Sequence, residues 1–128
     1  MQYDKAFWLT PDPEVRMATP FRSTRDVIVR TGALAQAVEF YTSVLGFRIS
    51  SRAANIVGFE TGSFCLYVES GKEHSPVFDL LVPDVPAAKS RLLAAGCVLI
   101  EEDPALPRCY IRDPYGFTFN VAKVAGAV

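Results

Sequence analysis

The sequence predicts an α+β domain made of two tandem βαβββ modules. A helical pattern preceded by one strand-like segment and followed by three occurs twice along the chain. Leu34 and Tyr41 of the first helical pattern lie 51 positions before Val85 and Leu92 of the second. A period of about 50 residues indicates an internal duplication. Neither half has enough sheet to cover its own helix, so we expect the two modules to pack as one domain.

The first module is predicted over about residues 24–70. Residues 26–30 are rich in β-branched side chains and predict a strand. Apolar residues from Leu34 to Leu45 recur at helical spacing, and Gly46 provides a C-terminal stop. Three strands are predicted over residues 47–51, 55–60 and 63–69. Gly62 supplies the tight turn between the last two.

The second module is predicted over residues 76–124, after a polar, turn-rich linker at 69–76. A strand over 77–82 precedes a helix for which Asp84 is the N-cap and Gly96 the end. Three strands follow over 97–101, 108–112 and 117–123. The turn DPYG at 113–116 joins the last two.

Residues 1–23 differ from this pattern and predict an N-terminal arm. They hold three prolines and two aromatic side chains, Phe7 and Trp8, without a clean periodicity. The arm is expected to lie over the domain or over a partner subunit, and the alternative is a partly disordered tail. Residues 24–124 then form a single domain.

Composition excludes several classes of protein. A chain of 128 residues with 50% hydrophobic and 21% charged residues is typical of one compact domain and too apolar for disorder. No apolar run approaches the roughly 20 residues of a membrane helix, and the N-terminus lacks a secretory signal. The net charge of -1 provides no basic field for phosphate groups. We expect neither a membrane nor a nucleic acid as partner.

The cysteines and the single histidine restrict the possible chemistry. Cys65, Cys97 and Cys109 are odd in number and have no CxxC spacing, so a disulfide framework and a cysteine zinc site are disfavoured and a cytoplasmic location is expected. His74 is the one histidine, which excludes a metal site built on two or three imidazoles of one chain. It falls in the predicted linker, where we expect a structural or solvent-exposed role. A strand slip that brought it inward would turn apolar residues to the wrong face.

Two motifs in register resemble a known family. The segment EFYTSVLGF at 39–47 resembles the FY…LGF signature of the vicinal oxygen chelate superfamily, which includes glyoxalase I, extradiol dioxygenases, and fosfomycin- and bleomycin-resistance proteins. The segment RDPYGF at 112–117 is similar to the DPxG turn that closes the fold. The resemblance covers about residues 24–124. It implies a cupped mixed sheet with the helices outside and a ligand cavity inside.

The resemblance also implies four positions for metal ligands, which in this family are usually His or Glu. They hold Asp26, Tyr67, Val77 and Asn120 in this sequence. One carboxylate, one neutral phenol, one amide and one valine do not make a tight site for Zn, Fe or Ni. We therefore expect no metal and no other cofactor.

Strand alternation divides the side chains of the sheet between two faces. Residues expected to face the helices are Val27, Val29, Phe64, Leu66, Val68, Phe78, Leu80, Val82, Phe117, Phe119 and Val121. The opposite face mixes apolar and polar groups, as small-molecule sites do. The predicted ligand-binding residues on that face are Asp26, Ile28, Arg30, Tyr67, Glu69, Asp79, Tyr110, Arg112, Thr118 and Asn120.

Three functional hypotheses follow from the resemblance and these residues. The first is a metal-independent binding protein, similar to bleomycin-resistance proteins, that holds an amphipathic organic ligand in a cleft and catalyses nothing. The second is a metal-dependent lyase, isomerase or dioxygenase that uses a reduced ligand set. The third is a metal-free enzyme with Asp26 or Tyr67 as general acid or base. A homodimer is expected because cupped sheets have edges that need cover.

Overall fold

A computed structural model describes residues 21–124 of the chain. Within these residues two helices pack on one face of a single eight-stranded sheet. The helices are α1 (Leu34–Ser43) and α2 (Val85–Ala94). The strands are β1 (Arg22–Thr31), β2 (Arg48–Arg52), β3 (Ile56–Glu60), β4 (Cys65–Ser70), β5 (His74–Val82), β6 (Val98–Asp103), β7 (Arg108–Arg112) and β8 (Thr118–Lys123).

The strand order confirms the duplicated βαβββ plan. Along the sheet the order is β2-β3-β4-β1-β5-β8-β7-β6. The first strand of each module runs parallel to the last strand of the same module, β1 beside β4 and β5 beside β8. The two modules join where β1 and β5 pair antiparallel at the centre. The fold is therefore the predicted mixed sheet with the helices on its outer face.

Local sequence explains where each helix begins and ends. Asp84 has an extended backbone, and its Oδ1 accepts a hydrogen bond from the backbone N–H of Ala87 at 3.0 Å, which caps α2 as predicted. Helix α1 has no side-chain cap. Gly46, which follows α1, has a φ of +72°, a conformation that glycine adopts without the strain of a Cβ atom.

Two buried clusters lie between the sheet and the helices, one in each module. Most of the residues expected to face the helices are in these clusters or packed against them: Val27, Val29, Leu66, Val68, Leu80, Val82, Phe119 and Val121. Phe64, Phe78 and Phe117 were predicted with them, and Phe78 shares the face of Val27 and Phe119, with which it pairs, but the three are more exposed than the rest. They lie outside both buried clusters and keep between 38% and 43% of their surface exposed. Phe64 and Phe117 precede their strands, so the alternation of the strand does not reach them.

Strand β5 corrects the predicted linker. The linker was expected to extend to residue 76, yet β5 begins at His74. A β-bulge makes this possible. Val77 pairs with Ile28 and His74 pairs with Arg30, so three residues along β5 correspond to two residues along β1. The bulge brings His74 into the sheet without moving Val77 off its face. A strand slip was not needed.

The N-terminal part of the chain is described only from Phe21. Strand β1 begins at Arg22, so the last two residues assigned to the arm belong to the sheet. The rest of the predicted arm, with Phe7 and Trp8, lies outside the described residues. No helix among residues 21–124 is long and apolar enough to cross a membrane.

Candidate functional site

Four charged side chains form a ring across the concave face of the sheet, the face opposite the helices. The Arg30 guanidinium on β1 donates hydrogen bonds to Glu69 on β4 at 3.0 Å and to both carboxylate oxygens of Glu101 on β6 at 3.1 and 3.0 Å. The Arg108 guanidinium on β7 donates to the same two carboxylates at 2.9 to 3.0 Å. Each arginine therefore bridges both glutamates, and the ring joins the two modules.

The ring is a partly buried electrostatic unit. The Arg30 side chain is 11% exposed and that of Glu101 is 36% exposed. Hydrogen bonding to Arg30 is the main cause that lowers the pKa of Glu101 to about 2, and a hydrogen bond from Arg108 adds to it. Arg30, Arg108 and Glu101 are charged at neutral pH. Because each charge has two opposite partners, the ring meets the requirement that buried charges be paired.

A cavity of about 720 Å³ opens beside this ring. Residues of β1, of the first half of β5, of β6 and β7, and of the DPYG turn and the start of β8 line it. They are Arg30, Lys72, Glu73, His74, Ser75, Pro76, Val77, Phe78, Ile100, Glu101, Tyr110, Arg112, Gly116, Phe117 and Thr118. The lining mixes aromatic and aliphatic walls with a few polar groups, which is the composition of small-molecule sites.

His74 lies in this cavity wall with one ring nitrogen committed. Its Nδ1 is 2.7 Å from the carbonyl oxygen of Ser75, an atom that only accepts, so Nδ1 carries a hydrogen and donates. Its Nε2 is buried and has no hydrogen-bond partner in the part of the chain that the structure describes. The ring stands edge-on to Tyr110 with centroids 5.6 Å apart. His74 therefore lies in strand β5 and not in the predicted linker, and it is half-buried. The structural role that was one of its two expected roles stays a prediction.

Tyr110 lies between the charged ring and the cavity. Only 3% of its surface is exposed, and the Arg108 guanidinium lies 5.2 Å from its ring centroid. Burial raises the pKa of its phenol. Tyr110 therefore stays neutral, and the small part of its surface that is not buried lies in the cavity wall.

Asp79 and Asn120 form a second polar pair on the concave face, on β5 and β8. The Asn120 amide nitrogen donates to Asp79 Oδ1 at 3.0 Å, and its Oδ1 accepts from the backbone N–H of Cys109 at 2.8 Å. The Thr24 hydroxyl lies 3.4 Å from Asp79 Oδ2. Burial is the main cause that raises the pKa of Asp79, and the charge of Asp26 adds to it. Both ends of the Asn120 amide are thus used inside the protein.

The structure divides the predicted ligand-binding residues into three groups. Four of them line the cavity: Arg30, Tyr110, Arg112 and Thr118. Glu69 lies behind it in the charged ring. The other five, which lie outside the lining, are Asp26, Ile28, Tyr67, Asp79 and Asn120. Their role in ligand binding stays a prediction.

Sequence reasoning missed several residues of the lining, above all His74, Ile100 and Glu101. Two β-bulges account for these missed residues. One lies on β5, opposite Ile28 and Arg30 of β1, and the other lies between Leu99 and Glu101 on β6. A bulge adds one residue to a strand, so strict alternation assigns the wrong face beyond it. The charged ring could have been inferred from the oppositely charged residues within the predicted strands, because a buried charge on a sheet face needs a partner.

Comparison with known proteins identifies the family. A sequence model of the glyoxalase-like domain matches residues 26–122, which is most of the chain. The chain belongs to the glyoxalase-like domain family. No curated protein is similar enough in sequence to count as a relative.

Solved structures with the same fold agree with this assignment to the glyoxalase-like family. A glyoxalase/bleomycin resistance protein/dioxygenase superfamily member from Vibrio splendidus 12B01 is 15% identical, with a TM-score of 0.56 over 77% of this chain and 96% of that one. Homoprotocatechuate 2,3-dioxygenase from Brevibacterium fuscum is 21% identical, with a TM-score of 0.58 over 92% of this chain but 41% of the dioxygenase. Methylmalonyl-CoA epimerase from Mycobacterium tuberculosis is 16% identical, with a TM-score of 0.52 over 78% and 86%. At these identities the likeness shows the fold alone.

The metal positions that the superfamily resemblance implies do not fit a metal in this member of the glyoxalase-like family. Val77 has no ligating atom and is 2% exposed, and Asn120 has both amide atoms committed to Asp79 and Cys109. Burial raises the pKa of Tyr67, so its phenol stays protonated at neutral pH. Asp26 is the single carboxylate of the four. Among residues 21–124 no group of three histidine, cysteine, aspartate or glutamate side chains is placed to hold a metal ion.

Apolar side chains occupy the centre of the concave face in place of a metal. Ile28 on β1 pairs with Tyr67 on β4 and with Val77 on β5, so the three side chains share this face. Ionic contacts between the modules are made instead at the charged ring. In this glyoxalase-like domain the concave face therefore carries two polar groups, the pair of Asp79 and Asn120 and the charged ring beside the cavity.

Proposed function

We propose that this protein is a metal-independent binding protein that holds an amphipathic organic ligand in the 720 Å³ cavity. The observation that carries the proposal is the donor set at the four metal positions. A valine, a neutral phenol and an amide already bonded at both ends leave one carboxylate, Asp26, for a cation. A single carboxylate does not hold a catalytic transition metal in proteins.

The size and lining of the cavity support binding of a small molecule. Ligand pockets have volumes of about 300 to 1,000 Å³ and combine apolar walls with a few polar groups. Ile100, Tyr110 and Phe117 supply apolar wall here, and Arg112 and Thr118 supply polar groups. A ligand with an apolar body and a polar end matches this arrangement.

The polar groups of the lining are not arranged for general acid–base catalysis. His74 Nδ1 donates to the backbone carbonyl of Ser75, and its Nε2 has no hydrogen-bond partner in the described residues, so no nucleophile or second acid–base group is hydrogen-bonded to it there. The Glu101 carboxylate accepts from two arginines, which keep its pKa at about 2 and make it a poor base. We therefore favour binding over catalysis.

A metal titration tests the first part of the proposal. Purified protein is expected to contain well below one equivalent of Zn, Ni, Fe or Mn by elemental analysis. Its melting temperature should not rise when these ions are added. About one equivalent of metal per chain, lost in Asp26→Ala, would contradict the proposal.

A binding titration with flat aromatic amphiphiles such as naphthoate and naphthamide tests the second part. Ile100 lines the cavity, and Leu106, in the β6–β7 turn, does not, although both are exposed aliphatic side chains. Ile100→Ala is expected to weaken binding by about 1 to 2 kcal/mol, because apolar contact area is lost. Leu106→Ala should leave binding unchanged. Equal effects of both variants, or no binding of any amphiphile, would sink the proposal.

We also propose that the protein is a cytoplasmic homodimer. Strands β2 and β6 are the edges of the sheet, and Phe40, Val44 and Leu45 beside β2 are exposed apolar residues that a second copy would cover. Cys65, Cys97 and Cys109 are free thiols, which suits a reducing compartment. Sedimentation that shows a monomer at all concentrations would contradict the dimer.

A further inference from the structure

Two cations of the cavity lining, Lys72 and Arg112, have no ion-pair partner in the described part of the chain. The lining holds three cations, Arg30, Lys72 and Arg112, and two carboxylates, Glu73 and Glu101. Arg30 is bonded to Glu101 within the charged ring. Lys72 lies beside Glu73 in the exposed β4–β5 turn, whereas Arg112 is held on strand β7. Arg112 makes no ion pair and no side-chain hydrogen bond with residues 21–124.

The side chains around Arg112 place a hydroxyl and an apolar wall beside this cation. Arg112 on β7 pairs directly with Thr118 on β8, so the guanidinium and the hydroxyl stand on the same face. Tyr110 lies two residues before Arg112 on the same strand and therefore on the same face. Ile100 and Phe117, each with 41% of its surface exposed, complete the wall.

We infer that the ligand is an organic anion whose carboxylate binds Arg112 and Thr118 and whose flat apolar body lies along Tyr110, Ile100 and Phe117. The inference rests on the proposed function and adds the chemical class of the ligand. A guanidinium presents paired N–H donors that match the two oxygens of a carboxylate, and a hydroxyl supplies a further donor. Arg30 does not take this role, because three of its five N–H donors bond to Glu69 and Glu101, whose carboxylates also neutralise its charge.

Isothermal titration with a matched pair of probes tests the inference. Naphthoate and naphthamide share one aromatic body and differ in charge. The wild-type protein is expected to bind naphthoate about 10-fold to 100-fold more tightly than naphthamide, because the charged hydrogen bonds to Arg112 form only with the carboxylate. Raising sodium chloride from about 0.05 M to about 0.5 M should reduce this preference.

Variants assign the preference to Arg112. Arg112→Gln should lose the preference for naphthoate while it still binds naphthamide. Arg48→Gln removes another exposed arginine, on β2 at the far edge of the sheet, and should keep the preference. Thr118→Val should reduce it in part. Should Arg112→Gln not fold, Arg112→Lys keeps the charge without the paired donors and is expected to show a smaller preference than wild type.

The possible results separate this inference from the proposed function. Equal affinity of the wild-type protein for both probes, with Ile100→Ala weakening both, would overturn the anion inference and leave the binding function intact. A preference for naphthoate that survives in Arg112→Gln and in Arg112→Lys would also overturn it. No binding of either probe would contradict the proposed function itself.

Discussion

Arg30 and Glu101 are joined by two hydrogen bonds of 3.1 and 3.0 Å although three strands lie between theirs in the sheet. In a flat sheet, four spacings of about 4.8 Å would separate the two backbones by roughly 19 Å, which is more than the two side chains can span. The sheet must therefore curl until β1 faces β6. Arg108 and Glu69 repeat this relationship between β7 and β4. The ring of four charges forms where the concave face closes.

The energetic coupling between Arg30 and Glu101 is the first prediction. A double-mutant cycle with Arg30→Gln and Glu101→Gln is expected to give a coupling of about 1 to 3 kcal/mol in urea unfolding, because the pair is partly buried and shares a network. The exposed pair of Arg25 and Glu60, with 54% and 31% of the side chains exposed, is the matched control. Its cycle should give less than about 1 kcal/mol. Equal coupling in both cycles would mean that the ring adds nothing beyond a surface ion pair.

Acid sensitivity of the fold is the second prediction. Because Arg30 and then Arg108 lower the pKa of Glu101 from 4.5 to about 2, Glu101 binds fewer protons in the folded than in the unfolded state between these values. Its contribution to stability is present above about pH 4.5 and is lost as the pH falls towards 2. The free energy of unfolding, measured by urea titration across this range, should fall more steeply for wild type than for Glu101→Gln. Parallel pH profiles would contradict the assignment.

Asp79 is predicted to change the stability with pH in the opposite direction to Glu101. Burial raises its pKa, so the folded state favours the protonated form and stability is lost as the pH rises from about 4 through the folded pKa. Asp79→Asn removes the charge and keeps an oxygen that can accept from the Asn120 amide. The stability of this variant relative to wild type should therefore improve as the pH rises from 4 to neutrality.

Asn120→Ala is the control for this pair. It removes the donor to Asp79 and the acceptor of the Cys109 N–H, both in a buried environment. We expect a cost of about 1 to 3 kcal/mol. A relative stability of Asp79→Asn that does not change with pH would show that the Asp79 carboxyl is well solvated.

The sequence was sufficient to predict the elements and the duplicated topology, because each strand and helix carries its own local pattern. The alternation of Val27 and Val29 and of Phe119 and Val121 predicted the helix-facing side correctly. The DPYG turn and the Asp84 cap are likewise local, since their side chains bond to backbone atoms within four residues.

The cavity depends on relationships that no local pattern carries. His74 reaches the concave face through a bulge, and Glu101 meets Arg30 only because the sheet curls, at a separation of 71 residues in sequence. Alternation predicted that Arg30 and Glu69 face inward. It did not show that each would be bonded to an arginine or glutamate from the other module. That Arg112 lines the cavity without an ion pair to residues 21–124 therefore required the structure.

The close approach of Gly71 to Arg30 is the last prediction. A Cβ atom at Gly71 would lie 2.7 Å from Arg30 Cδ, and the backbone φ of +152° adds strain to any side chain there. Gly62 has a φ of +121° but open space around its Cβ position, so Gly62→Ala measures the strain alone, about 1 to 3 kcal/mol. Gly71→Ala is expected to cost more, because it also displaces Arg30 from Glu69 and Glu101. In an Arg30→Ala background the costs of the two glycine substitutions should converge in urea unfolding. An excess cost of Gly71→Ala that persists without the Arg30 side chain would show that the contact has no part in holding the ring.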